Sequence, residues 1–177
     1  MDTRKMEKIT ALVISTIVVG LSFFKVWDWQ TVGIYAGSDI AGRVLYPFFH
    51  ANILHASLNS WCLLSMVFIY DIGIWRLVLA YIIAVTIPVD TIECFIGEMT
   101  SPTVGLSGIV FVLFGSISFE VLRKQYYQLW MIFYLTAGFL FPHTNARLHL
   151  SLIHLWCYML GFLVALLNKP IIKKSHD

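Results

Sequence analysis

Residues 103–115 read TVGLSGIVFVLFG, a serine held between glycines and followed by a run of bulky apolar side chains. The run is long enough to begin a membrane helix, which places the Ser107 hydroxyl near a helix start at membrane depth. Read alone, the stretch has a bland explanation. Ser and Gly are common where membrane helices pack closely, and a Ser hydroxyl bonds back to its own helix. The rest of the chain decides between that reading and a chemical one.

The chain has 177 residues, 59% of them hydrophobic and 12% charged, against about 25% charged in an ordinary soluble domain. So many apolar side chains leave too little polar surface to face water, and the lipid bilayer is the expected solvent. The formal charge is +2, with no basic stripe, so nucleic-acid binding is not expected. Cys62, Cys94 and Cys157 are odd in number and far apart. Cys62 and Cys157 lie in apolar runs, which argues against a disulfide framework or a zinc knuckle. The N-terminal apolar run lacks a small-residue cleavage site and reads as a first span rather than a signal peptide.

Six windows approach the roughly 20 apolar residues of a membrane-crossing helix: 9–27, 54–72, 74–89, 104–122, 128–142 and 149–168. Breaks fall at DIG near 71–73, GEMTSPT at 97–103, RKQ at 123–125 and PHTNAR at 142–147. With no internal repeat or soluble segment, the expectation is an all-α membrane protein, one domain over 1–177 built as a six-helix bundle. Charge gives the direction. With a cytoplasmic N-terminus, Arg4, Lys5, Lys8, Arg76, Arg123, Lys124, Lys169, Lys173 and Lys174 lie inside, and Lys25, Arg43 and Arg147 outside. That bias predicts both termini in the cytoplasm.

In this frame three distant segments bring polar groups to one depth. His55 and Asn59, four apart in HANILHASLNSW (50–61), share a helix face, with His50 just ahead of that helix. Ser107 opens the fourth span, and His154 lies near the outer end of the sixth. Polar side chains at such depth usually face protein or a water-filled cavity, although each taken singly also fits helix-end or interhelical roles. Gly161 lies seven residues after His154, and Gly115 seven after Gly108. Small faces of this kind allow two helices to approach until a short hydroxyl reaches an imidazole. A Ser–His pair is a nucleophile with its general base, and acyl transfer also needs donors for an oxyanion. The Asn59 amide, an N–H of His55 and the Ser107 backbone N–H suit that task. No carboxylate completes a triad: Asp90 and Glu93 are expected in a loop and Asp71 on the wrong face. Packing would then orient the imidazole, with Trp156 and Tyr158 flanking the helix face.

These residues resemble the rhomboid intramembrane serine proteases. His50, His55 and Asn59 are similar to the family's second-helix H-x-x-x-x-H-x-x-x-N motif, Gly105-Leu106-Ser107-Gly108 to its nucleophile motif, and His154 with Gly161 to its sixth-helix motif. The resemblance covers roughly 50–161 and includes the order of the motifs on six spans. It implies Ser107 as nucleophile, His154 as general base and acid, and Asn59, His55 and the Ser107 amide as oxyanion donors. His50 is implied to be mainly structural, with Gly105, Gly108, Phe111, Cys157 and Gly161 supporting the site. Substrates would be single-pass or other transmembrane proteins, locally unwound because a regular helix buries its carbonyls. No metal or cofactor is implied, and the expected location is the bacterial cytoplasmic membrane.

Three positions depart from the pattern. Phe111 stands where the family often has Tyr; its ring would still pack beneath the histidine. Cys157 replaces a Gly, and the family's Trp-Arg pair is not obvious in the first loop. Two rival readings are a catalytically silent rhomboid-like protein that binds client helices, and a transporter using the histidines as a proton path. Intact Ser107, His154 and Asn59 weigh against the first, and the lack of an internal repeat against the second.

Overall fold

Apolar runs set the helices, and short polar or proline-containing segments end them. The computed structural model describes residues 3–24, 26, 28–97, 102–140 and 145–167. In chain order the helices are α1 (Thr3–Leu21), α2 (Trp29–Val32), α3 (Ile40–Leu45), α4 (Ile53–Ile69), α5 (Gly73–Val85), α6 (Val89–Ile96), α7 (Ser107–Ser116), α8 (Lys124–Leu140) and α9 (Asn145–Leu167). The described residues are all-α apart from one isolated antiparallel bridge between Ile34 and Thr103. Each of the six apolar windows holds one main helix, from ten residues in α7 to 23 in α9.

Helix lengths differ from the expected windows in two places. The fourth window ran over 104–122, but α7 has only ten residues. It is about 15 Å long at about 1.5 Å per residue, half of a hydrocarbon core of about 30 Å. The Ser116 hydroxyl bonds back to Leu113 O at 2.9 Å, and the chain turns from Ile117. The third window, 74–89, holds α5, and a break containing Pro88 bends the chain by 45° into α6, which starts at the window's last residue; the proline's missing N–H cannot continue the ladder. Among the described residues, Leu148–Leu167 alone is long and apolar enough to cross a membrane by itself, and the bent α5–α6 pair passes together.

The loop expected around Asp90 and Glu93 is instead helix α6. Its carboxylates reach back to the segment before α4: Asp90 accepts from Gly37 N at 2.8 Å, Glu93 from Ala36 N at 3.1 Å, and Arg43 pairs with Asp90 at 2.6 Å. These acids are occupied in holding the long first loop. Within that loop Asp28 caps α2, and hydrogen bonds from the Thr31 hydroxyl and the Gln30 N–H hold its carboxyl below the usual range.

Helix α7 is apolar on every side, and such a helix must be buried. It packs against α9, α5 and α4, with Ser107–Leu113, Gly115 and Ser116 all buried. Leu12, Trp61, Trp75, Phe133 and Leu163 on the surrounding helices are exposed, as a lipid-facing belt requires. At the end of the bundle away from Arg43 and Asp90, Arg4 pairs with Asp71 at 3.1 Å, Arg76 pairs with Glu120 at 2.5 Å, and Gly73 N donates to Glu7 at 2.6 Å. Asp71 therefore lies away from Ser107. The aromatic contact of Phe119 with Phe162 and the Ser118–Tyr158 hydrogen bond show that α9 runs alongside α7 in the same direction. The start of α1 and the end of α9 thus share one end of the bundle. Lys25, Lys169, Lys173 and Lys174, and most of the two breaks at 97–103 and 142–147, lie outside the described residues.

Candidate active site

The GLSG stretch is held by its backbone before its serine does anything. Gly105 has φ +131°, a conformation that L side chains rarely adopt. Its N–H donates to Tyr46 O at 2.9 Å. A Cβ there would come within 3.0 Å of His55 Cε1 and 3.6 Å of Asn59 Nδ2. The next amide, Leu106 N–H, donates to His50 Nε2 at 3.1 Å, and the Asn59 amide meets the same nitrogen at 3.1 Å. An imidazole nitrogen that accepts from a backbone N–H carries no proton, so His50 is the Nδ1–H tautomer and Asn59 donates to it. His50 is buried and joins the start of α4 to the GLSG loop. Asn52 caps α4 by accepting from His55 N at 2.9 Å, and the His50 and His55 rings meet edge-on, 4.9 Å apart at 69°.

Ser107 is the first residue of α7, where backbone N–H groups have no carbonyl one turn earlier to bond. Its Oγ lies 3.1 Å from His154 Nε2. In the Nδ1–H tautomer of His154 the hydroxyl donates and Nε2 accepts. Both residues are buried, at 8% and 9% exposure, so a reaction here runs in a site nearly closed to water. Phe111, one turn after Ser107, lies against the imidazole with ring centroids 4.1 Å apart at 17°. Tyr134 on α8 stacks on Phe111 in turn, at 5.8 Å and 22°. Among the described residues no carboxylate hydrogen-bonds His154, so ring packing sets its orientation.

The glycines explain how α7 and α9 come so close. A Cβ on Gly161 would overlap Val112 O, and one on Gly115 would overlap Tyr158 O with Phe162 N at 2.6 Å. Gly108 and Gly161 lie at different heights along this contact. Gly108 makes room chiefly for the Tyr46 hydroxyl, 2.6 Å from its Cβ position, with Ala84 Cβ at 3.4 Å and Cys157 Sγ at 3.7 Å. The close partner of Gly161 is the Val112–Gly115 backbone, one turn or more further along α7. Cys157 is fully buried in the remaining gap. Trp156 points outward at 40% exposure, while Tyr158 faces Ser118.

Four residues in this region were given no role in the site by the sequence reading. Tyr46, buried, donates its hydroxyl to Ala84 O at 3.0 Å while its carbonyl holds Gly105. Asn52 is a helix-start residue immediately before an apolar run, a signal that was available. His149, buried on α9, bonds Gly97 O at 2.8 Å. Arg43, in the first loop, supplies a guanidinium to Asp90 and to Ile87 O at 3.2 Å. No three His, Cys, Asp or Glu side chains among the described residues converge as metal ligands would.

Residues 38–172 match the Rhomboid domain. No curated protein and no solved structure matches the chain.

Proposed function

This chain belongs to the rhomboid family, integral membrane proteins built as helical bundles, and from that premise we propose that it is an intramembrane serine protease cutting transmembrane protein substrates. The observation that carries the reading is the 3.1 Å contact between Ser107 Oγ and His154 Nε2 at the start of a helix too short to span a bilayer. In the proposed reaction Oγ attacks the scissile carbonyl carbon while His154 Nε2 takes the hydroxyl proton. The developing oxyanion is met by the Ser107 backbone N–H, by the second N–H of Asn59 Nδ2 and by His55. His154 then gives its proton to the leaving amine nitrogen, and the C–N bond breaks to leave an acyl-enzyme. Water, deprotonated by the same imidazole, attacks the ester and releases Ser107.

His50 holds Asn59 and Leu106 in this scheme, and Phe111 holds the imidazole; neither touches the reacting atoms. The nucleophile's end of the bundle is the outer end if the charge bias of the chain sets its direction, with both termini cytoplasmic. Intact Ser107, His154 and Asn59 in this arrangement favour an enzyme over a silent client-binding relative. The test is co-reconstitution in vesicles with a single-span substrate carrying a fluorophore at each end. Wild type is expected to produce two fragments and Ser107→Ala none. Equal cleavage by the two proteins contradicts the proposal.

A further inference from the structure

We infer that His149 is a positioning residue that fixes the register between the two helices carrying Ser107 and His154; this rests on the proposed dyad. His149 is fully buried, and its Nε2 lies 2.8 Å from Gly97 O. A carbonyl only accepts, so Nε2 carries the proton and donates. Gly97 ends α6 with φ +98°. From Gly97 the chain runs ten residues to Ser107, and from His149 α9 runs five residues to His154. This hydrogen bond therefore ties the two segments together shortly before each delivers its reacting side chain.

The lower part of the α7–α9 contact is set by backbone against glycine, at Gly115 and Gly161. Such a contact fixes the distance between helices but leaves rotation and tilt about that point. The His149–Gly97 bond lies on the opposite side of the Ser107–His154 pair from those glycines. Two anchors, one above and one below, define the pair's geometry where one would not. Among the described residues no carboxylate orients the imidazole, so the second anchor takes on part of that task.

The experiment compares His149→Phe, which keeps an aromatic ring without the donor, with His149→Gln, whose amide N–H can still donate. Both are measured in the full-length reconstituted protein for kcat and KM on the single-span substrate, for unfolding midpoint, and for hydrogen exchange at the Gly105, Leu106 and Ser107 amides. His149→Phe is expected to lower kcat by about 10–100-fold with KM unchanged, and to speed exchange at those amides. His149→Gln recovers most of both. The inference is overturned if His149→Phe keeps wild-type kcat, or if both variants lose kcat and midpoint together without rescue. If wild type itself cleaves nothing, the protease reading fails, and the exchange measurement alone decides. Unchanged exchange in His149→Phe then rejects the anchor, and faster exchange reversed by Gln sustains it.

Discussion

In His154→Ala, cleavage of the single-span substrate falls by about 10⁴–10⁶-fold, the range seen when a nucleophile loses its only general base. Ser107 at neutral pH is a protonated alcohol, and without Nε2 at 3.1 Å its proton has no acceptor in the transition state. The loss should be confined to chemistry. Removing the imidazole takes away its stack with Phe111 and leaves a void, costing about 2–3 kcal/mol. A helical bundle whose core lies mainly along α7 survives that. The check is a pair of measurements: initial cleavage rate in vesicles and unfolding midpoint in mild detergent. A drop in rate that merely follows the drop in folded fraction would assign His154 to packing.

Gly161→Val should produce the second large effect, this time on both quantities. The added Cβ overlaps Val112 O, with Val112 C and Cα also close. These are backbone atoms, so no side chain can swing aside and the helices must separate. Overpacking usually costs about 1–3 kcal/mol, and a backbone neighbour puts this substitution at about 3 kcal/mol. Separation also moves His154, seven residues away on the same helix, and a displacement of about 1 Å costs about 10²-fold in rate. Gly108→Val is expected to behave differently, because its tightest neighbour is the Tyr46 hydroxyl, the far end of a side chain. A Gly161→Val protein with wild-type rate and midpoint would mean that the helices do not meet at this point.

How much of this was legible beforehand follows from which signals are periodic. Hydropathy located six apolar helices, since lipid exposure leaves its mark on every residue of a run. It did not reveal that α7 stops at Ser116: the residues from 117 to 122 remain largely apolar, and the turn is made by serine hydroxyls and backbone. The ring beneath the imidazole was expected from the family resemblance, in which Phe111 takes the place of a Tyr, and the Phe111–His154 stack is found there. Sevenfold spacing identified Gly161 and Gly115 as small-faced, but spacing within one helix says nothing of its axial offset against another. Across the contact Gly161 meets the Val112 and Gly115 backbone, while Gly108 faces Cys157 higher up. The contacts of His50, Tyr46 and His149 are isolated hydrogen bonds between distant segments, which have no periodic trace at all. His50 was ranked as structural by resemblance; the reason, an acceptor shared by Leu106 and Asn59, needed coordinates.

The central claim is that His154 makes Ser107 a nucleophile, and covalent trapping tests it without any knowledge of the natural substrate. The reconstituted protein is treated with a fluorophosphonate, digested, and the adduct located by mass spectrometry in wild type and in His154→Ala. The account predicts an adduct on Ser107 in wild type, none on Ser15, Ser60, Ser116 or Ser118, and loss of the Ser107 adduct in His154→Ala. Labelling of Ser107 at the same rate without His154, or an adduct on a different serine in wild type, would contradict it.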